Sequence, residues 1–310
     1  LPDNQPWHVN MPNVAAFWIK RFWRLVPSAW LWLVLILLAA IFFNTSGAFG
    51  SVLANYEATI AGILQVANFR FADVFGRTEY GASFVYWSLS LEEQFYLIFP
   101  FLILLSKKRL PWVLALIAAV QLLQSRDLLG MALRTDGLAL GALIALWQGH
   151  RSYQLFEPLF LRKAIVRRVL FVVLLMFIGS IGASGIRVVP NGFSLIAVLA
   201  AVLVFFASFD RGYIDVPGPV RGFLVWLGSR SYTLYLIHVP AFFATREIFF
   251  LYSPGRVLEG KENWVPVVAV FIVLAVILVE VNYRFIEKPC RSYGAKIARR
   301  YEQQVQGPAV

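Results

Sequence analysis

One cysteine, Cys290, is present among 310 residues. That excludes an internal disulfide and a thiolate metal cluster, and Cys290 is read as a bystander just past the last helix. Charge is scarce too: Asp, Glu, Lys and Arg together make up 15% of the chain, against roughly 25% in a soluble domain. A water-soluble globule is excluded on that ground. Histidine is limited to His8, His150 and His238, and neither His-x-x-x-His nor an acidic metal-ligand spacing occurs. A complete phosphate loop ending in Lys-Ser or Lys-Thr is missing, as is a Gly-x-Ser-x-Gly nucleophile elbow. Neither a metal nor ATP is therefore expected. With no internal repeat and no low-complexity run, residues 1–310 read as a single domain.

What is present is apolar, with 59% hydrophobic and 16% aromatic residues. A helix needs about twenty apolar residues to cross roughly 30 Å of hydrocarbon. Segments 22–43, 84–105, 129–148, 168–183, 192–209, 231–252 and 264–285 meet or approach that length, and 111–124 is a shorter span. Segment 51–69, interrupted by Asn55, Glu57 and Asn68, reads as partial or re-entrant. The expected fold is an all-α, polytopic transmembrane helix bundle of about eight spans plus one partial segment. Loop charge decides this count. The net charge of +11 sits in clusters between apolar runs, as the positive-inside rule places cytoplasmic loops, so nucleic acid is not an expected partner. With Lys20 and Arg21 inside, the count also puts Lys107, Lys108 and Arg109, the 162–168 cluster and a tail over 291–310 in the cytoplasm. The 209–222 connection, with Gly212, Pro217, Gly218 and Pro219, is a short turn between helices.

Inside one of these spans the chain reads Trp87-Ser88-Leu89-Ser90-Leu91-Glu92-Glu93-Gln94-Phe95-Tyr96. Ionisable groups at membrane depth are costly unless solvated or paired, so Glu92 and Glu93 are functional candidates by default. Glu92 and Tyr96 share a helix face, while Glu93 points about 100° away. In the expected topology Glu92 lies in the outer third of its span. It could orient a base, accept a hydroxyl's hydrogen bond or take its proton, or it could hold helices together as an ion pair with Arg134. Arg21 and Arg24, three apart, turn onto one face at the cytoplasmic edge. They could grip phosphate oxygens or serve as topogenic charge. Arg134, Gly137 and Gly141 follow i, i+3, i+7, which would set the arginine beside a small-residue stripe for close helix approach, with Asp136 serving another neighbour. Ser231, Tyr235 and His238 form a polar stripe. His238 could relay protons or bond a neighbouring helix.

The Trp87 to Tyr96 block closely resembles the Trp-Ser-Leu-Ser-x-Glu-x-Gln-Phe-Tyr signature of the integral-membrane acyltransferases called acyltransferase family 3. Three further blocks are similar to the family's pattern: Phe17 to Pro27, Arg134-Thr135-Asp136-Gly137-Leu138-Ala139-Leu140-Gly141, and Leu227 to Pro240. Glu287-Lys288-Pro289 sits near the end, as in the family's last helix. The resemblance implies transfer of an acyl group, usually acetyl from acetyl-CoA, to a hydroxyl of an extracytoplasmic carbohydrate such as lipopolysaccharide or exopolysaccharide. It implies a multi-pass protein of the inner (cytoplasmic) membrane with membrane lipids and a carbohydrate acceptor as partners. On this reading Arg21 and Arg24 hold the donor, and Glu92, Arg134 and His238 line the reaction path or support it. A full-length member would have about ten spans. Two of them would precede the Arg21 block and carry a catalytic His with an Arg eleven positions before it. None of the three histidines here has that arrangement, and the polar opening from Leu1 to Pro6 lacks a signal peptide's regions, so the chain is expected to be N-terminally truncated. A carrier or flippase for a lipid-linked saccharide would also bury Arg, Glu and His, with inverted repeats as its mark. An inactive family member is the third reading.

Overall fold

The computed structural model describes residues 7–124, 127–183, 192–214, 218–252 and 264–306. The opening Leu1 to Pro6, part of the 209–222 turn (215–217) and the end of the tail (307–310) lie outside the described residues. Among those described, the regular structure is helical: α1 (Trp7–Phe42), α2 (Val52–Ile63), α3 (Ala67–Val74), α4 (Tyr86–Ser106), α5 (Leu110–Leu123), α6 (Leu128–Ala132), α7 (Asp136–Gln148), α8 (Ala164–Ala183), α9 (Gly192–Ala207), α10 (Pro219–Ser229), α11 (Ser231–Tyr252), α12 (Trp264–Asn282) and α13 (Lys288–Gln306). Each expected span is met by one helix except 129–148, which is divided between α6 and α7. Five stretches contain a run long and apolar enough to cross a membrane: Pro12–Phe42, Leu128–Gln148, Ala164–Gly182, Ser231–Tyr252 and Trp264–Val305, in the last of which α12 is the apolar part. Large apolar side chains on them are exposed, as Met176 and Phe177 of α8 are. In water that surface would be an aggregation hazard, and in lipid it is a solvated one. The protein is a multi-pass membrane protein.

The helices fall into two compact units, one of residues 1–100 and 225–310, the other of residues 101–224. In the first, α1 packs against α2, α11 and α13, and α11 packs on α12. Leu33, Leu236, Ile237 and Val279 are almost fully buried there. A polar chain threads this core: Trp32 Nε1 donates to Asn282 Oδ1 (3.2 Å), and Asn282 Nδ2 donates to Ser28 Oγ (3.2 Å) and Thr233 Oγ1 (3.0 Å). Thr233 in turn donates to Glu287. Buried polar groups cost heavily unless satisfied, and each of these finds a partner. Glu287 reaches the chain because Tyr283–Glu287 forms a π turn between α12 and α13, a local widening of the helix. The Glu287-Lys288-Pro289 block thus has a structural place.

Segment 51–69 is two helices, α2 and α3, broken at Gln65, whose φ of 57° is left-handed. At twelve residues α2 is about 18 Å long, too short to span. Asn55 fixes the turn before it, donating to Phe49 O (2.7 Å) and Ser51 O (2.9 Å) and accepting from Ala82 N (2.9 Å). Glu247 of α11 is fully buried and captures the 44–50 loop through Thr45 N (2.6 Å) and the backbone and hydroxyl of Ser46.

Residues 291–306 are not a loose tail. They continue α13, a polar helix laid along the first half of α1, where Tyr293 meets the Trp23 ring edge-on at 4.7 Å and Lys20 bridges Glu302 at 3.0 Å.

In the second unit α5, α7, α8 and α9 pack side by side. The connection at 151–162 turns back on them through Trp147, Tyr153 and Phe209. Glu157 anchors it, accepting from Tyr213 and pairing with Arg211 at 3.6 Å and Arg162 at 3.5 Å. The Tyr213 hydroxyl, and after it those guanidinium groups, hold the Glu157 carboxyl below the usual carboxylate range.

Candidate active site

The polar residues of the α4 signature divide among three neighbours. Ser88 meets the Tyr235 hydroxyl of α11. Ser90 Oγ accepts from Ala67 N (3.3 Å), and Gln94 Nε2 donates to Gln65 O (2.7 Å) and Asn68 Oδ1 (2.9 Å), while Asn68 Nδ2 returns a bond to Gln94 Oε1 (3.0 Å). Those bonds hold the backbone break between α2 and α3. Glu92, Glu93 and Tyr96 turn to Arg21 of α1. Arg21 Nη2 lies 2.6 Å from Glu92 Oε1, its Nε lies 3.9 Å from Glu93 Oε1, and its Cζ stands 3.3 Å over the Tyr96 ring centroid. A guanidinium with two carboxylates and an aromatic face around it is compensated on every side. Arg21 Nε is buried without a hydrogen bond, which leaves one directed donor unspent.

Arg21, Glu93, Gln94 and Tyr96 form one wall of a cavity of about 460 Å³, lined also by Trp18, Phe22, Val26 and Trp30 of α1, by residues 63–66 and by Leu97, with Glu92 behind Arg21 and outside the lining. That volume lies in the range of small-molecule sites, and the mix of an apolar lining with a few convergent polar groups is typical of them. The backbone at Gln65 and Val66 can line it because α2 stops there.

Several expectations are corrected. Glu92 pairs with Arg21 and not with Arg134. The helices explain this: α4 runs antiparallel to α1, so that Tyr86 reaches Ala29 O (2.8 Å), Glu92 reaches Arg21, and Trp18 Nε1 reaches Tyr96 O (3.2 Å). Arg21 and Glu92 therefore share one depth, and the inner edge and the outer third cannot both be right. Beside Lys20 and Trp23 lies α13, whose Lys, Arg and Gln side chains are far too polar for hydrocarbon.

Arg134 precedes α7 instead of lying on it, since the helix begins at Asp136. Its guanidinium folds back over the turn to Asp136 Oδ1 (3.4 Å) and reaches Phe193 O (3.2 Å). Asp136 is thus a partner of Arg134 itself. Nor do Gly137 and Gly141 admit a close helix approach, because a Cβ built on either would meet nothing within 4 Å. His238 bonds its own helix, Nδ1 lying 2.8 Å from Tyr235 O. A carbonyl only accepts, so Nδ1 carries the proton and Nε2 of the neutral ring is left as an acceptor. Arg24 is exposed and within electrostatic reach of Glu287, whereas Arg21 is half-buried in the cavity wall. The structure brings Arg21 and Glu92 together with Glu93 and Tyr96; it places Arg134 in the second unit. Trp18, Gln65 and the Asn68–Gln94 pair were not foreseen as site residues. The signal was Asn68 itself, an amide in an apolar run that needs a partner.

A family model described as an acyltransferase domain matches residues 9–280. The chain belongs to acyltransferase family 3. Among curated relatives, a peptidoglycan O-acetyltransferase of Listeria monocytogenes is 27% identical over 93% of this chain and 48% of its own length. A candidate O-acetyltransferase of Staphylococcus aureus is 28% identical over 92% and 48%, and a candidate peptidoglycan O-acetyltransferase of Bacillus subtilis is 26% identical over 90% and 46%. The chain thus spans about half the length of the curated relatives it matches. No solved structure matches it significantly. Among the described residues no group of three or more His, Cys, Asp or Glu could hold a metal ion.

Proposed function

We propose that this acyltransferase is an O-acetyltransferase of the cytoplasmic membrane, moving an acetyl group from cytosolic acetyl-CoA to a hydroxyl of an extracytoplasmic glycan, with peptidoglycan as the acceptor. The observation that carries this reading is the cavity along α1, with Arg21, Glu93 and Tyr96 in its wall and Glu92 pinning Arg21. A CoA thioester is a polyanion bearing a small apolar acyl group, and a cavity of aromatic walls with one guanidinium at the membrane edge suits both parts. Peptidoglycan follows from the names of the Listeria and Bacillus relatives.

In the reaction, the acceptor oxygen bonds the thioester carbonyl carbon as its hydroxyl proton passes to a base, the C–S bond breaks, and the base returns that proton to the departing sulfur so that CoA leaves as the thiol. Arg21 and the exposed Arg24 are the proposed donor-holding pair. Phosphate oxygens arriving at Arg21 compete with Glu92 for the same guanidinium, which leaves Glu92 able to accept a proton. His238, with Nε2 accepting, is the second proposed proton carrier. Arg134, tied to Asp136, is the remaining proposed site residue.

Lysine keeps the charge and loses the planar fork. Arg21→Lys and Arg24→Lys should each weaken acetyl-CoA binding by about tenfold, the scale of one charge-assisted hydrogen bond, in full chain reconstituted into vesicles. Unchanged affinity in both variants would overturn the donor assignment.

A further inference from the structure

The second unit contains a larger cavity, of about 600 Å³, that the acyl-transfer proposal does not use. Its walls are Leu140, Leu143 and Ile144 of α7 and Val198, Ala201 and Val202 of α9. The two helices run parallel, with Trp147 stacked on Phe205 at 5.4 Å and Gln148 Nε2 donating to Ser208 O at 2.9 Å. From Leu140 to Trp147 the slot runs about 10 Å along the helix axis. Pro111, at the start of α5, and His150 line its other end.

Cationic and aromatic groups suited to a lipid headgroup gather near that end, and the acidic Glu157 of the adjoining connection is taken up by Tyr213, Arg211 and Arg162. Lys107, Lys108 and Arg109 lead directly into α5, Trp112 of its first turn is 78% exposed, and Arg151 follows His150. The 151–162 connection leaves Leu155, Phe156, Leu159 and Phe160 exposed, with Arg162 and Lys163 after them. Aromatic rings and cations at one level, with apolar side chains between, mark the membrane interface. No acidic residue lies within 107–112 or 147–153. Deeper in, the slot offers only hydrocarbon and two aromatic rings.

We propose that this slot seats one acyl chain of an anionic phospholipid, whose headgroup rests among His150, Arg151, Lys107 and Arg109. A nucleotide or sugar finds no hydrogen-bonding group on the slot's apolar walls, whereas an alkyl chain fills them. The cations at the mouth select a negative headgroup over a zwitterionic one.

Native mass spectrometry of the full chain, offered equal dioleoyl-phosphatidylglycerol and dioleoyl-phosphatidylcholine, tests this. Wild-type protein should retain the glycerol lipid in preference by about tenfold or more. Val202→Trp, which fills the slot, should abolish retention, and Ala201→Leu should reduce it if the larger residue prevents folding. Lys107→Gln with Arg109→Gln and Arg151→Gln should erase the headgroup preference while leaving chain binding. Equal retention of the two lipids by wild-type protein would overturn the proposal. So would full retention by a folded slot-filled variant, or displacement of the lipid by an equal amount of palmitoyl-CoA, which would assign the slot to a donor.

Discussion

Glu92 and Glu93 share one guanidinium, and that sharing sets what each can lose. Removing the sole partner of a buried charge typically costs about 3–5 kcal/mol. Here Glu93 stays 3.9 Å from Arg21 Nε when Glu92 is changed. Glu92→Gln should therefore insert, purify and melt close to wild type, yet transfer acetyl about 10²–10⁴-fold more slowly if Glu92 handles the proton. Thermal stability measured beside acetyl transfer in membranes separates the outcomes: near-normal transfer removes Glu92 from the chemistry, and joint loss makes it a structural residue. A second carboxylate responds to pH. Glu157 has a depressed pKa, so its contribution is complete above the unfolded-state value, about 4.3, and disappears as pH falls through the lower folded one. The 151–162 connection should stay docked from neutrality to about pH 4 and loosen below it. Hydrogen exchange across 151–162 reads this directly, and loosening already at pH 6 would contradict it.

Among the elements, α13 lies tight against α1 at Gly294. A Cβ added at Gly294 would lie 2.4 Å from Trp23 Cβ and 2.9 Å from its Cγ, and neither atom is the free end of a flexible chain. Gly294→Val should cost about 1–3 kcal/mol through overpacking and speed exchange across α13, while an equivalent change at Gly228, where a Cβ meets nothing within 4 Å, should not. Equal effects at both sites would show that the contact is not tight. The same contact shows what could be read in advance. Hydropathy located the spanning helices because bilayer thickness sets their length, and motif order located Arg21 and Glu92. Which residues meet was hidden, because pairing depends on helix direction and depth. Arg134 shows the second limit: its i, i+3, i+7 spacing to the glycines carried meaning only if the helix already included it, and α7 starts two residues later. The π turn at 283–287 left no trace in periodicity, so Glu287 could be seen as a motif but not as part of the buried chain through Asn282.

For the whole molecule, orientation in the bilayer is the property most open to test. The positive-inside rule predicts Lys107 to Arg109 in the cytoplasm and the 44–50 loop outside. On a Cys290→Ser background, Lys108→Cys should resist a membrane-impermeant reagent added to intact cells, and Ala48→Cys should react. Ala48 is preferable to Gly47, whose φ of +74° disfavours a side chain. Labelling at 108 without labelling at 48 would invert the bundle, and with it the side from which the α1 cavity takes its donor.

The packing of α13 on α1 also bears on how the protein is made. Lys20 and Glu302, which bridge the two helices, are separated by 282 positions. At about 5–20 residues per second, α1 waits in the membrane for roughly a quarter of a minute to a minute before the helix that covers Trp23 is synthesised. Throughout that interval Lys20 and Trp23 form an open face on a nascent chain. Newly inserted intermediates are therefore the species in which this face is free to meet an insertase, a chaperone or a second copy, and a ribosome stalled before residue 288 would hold it open indefinitely.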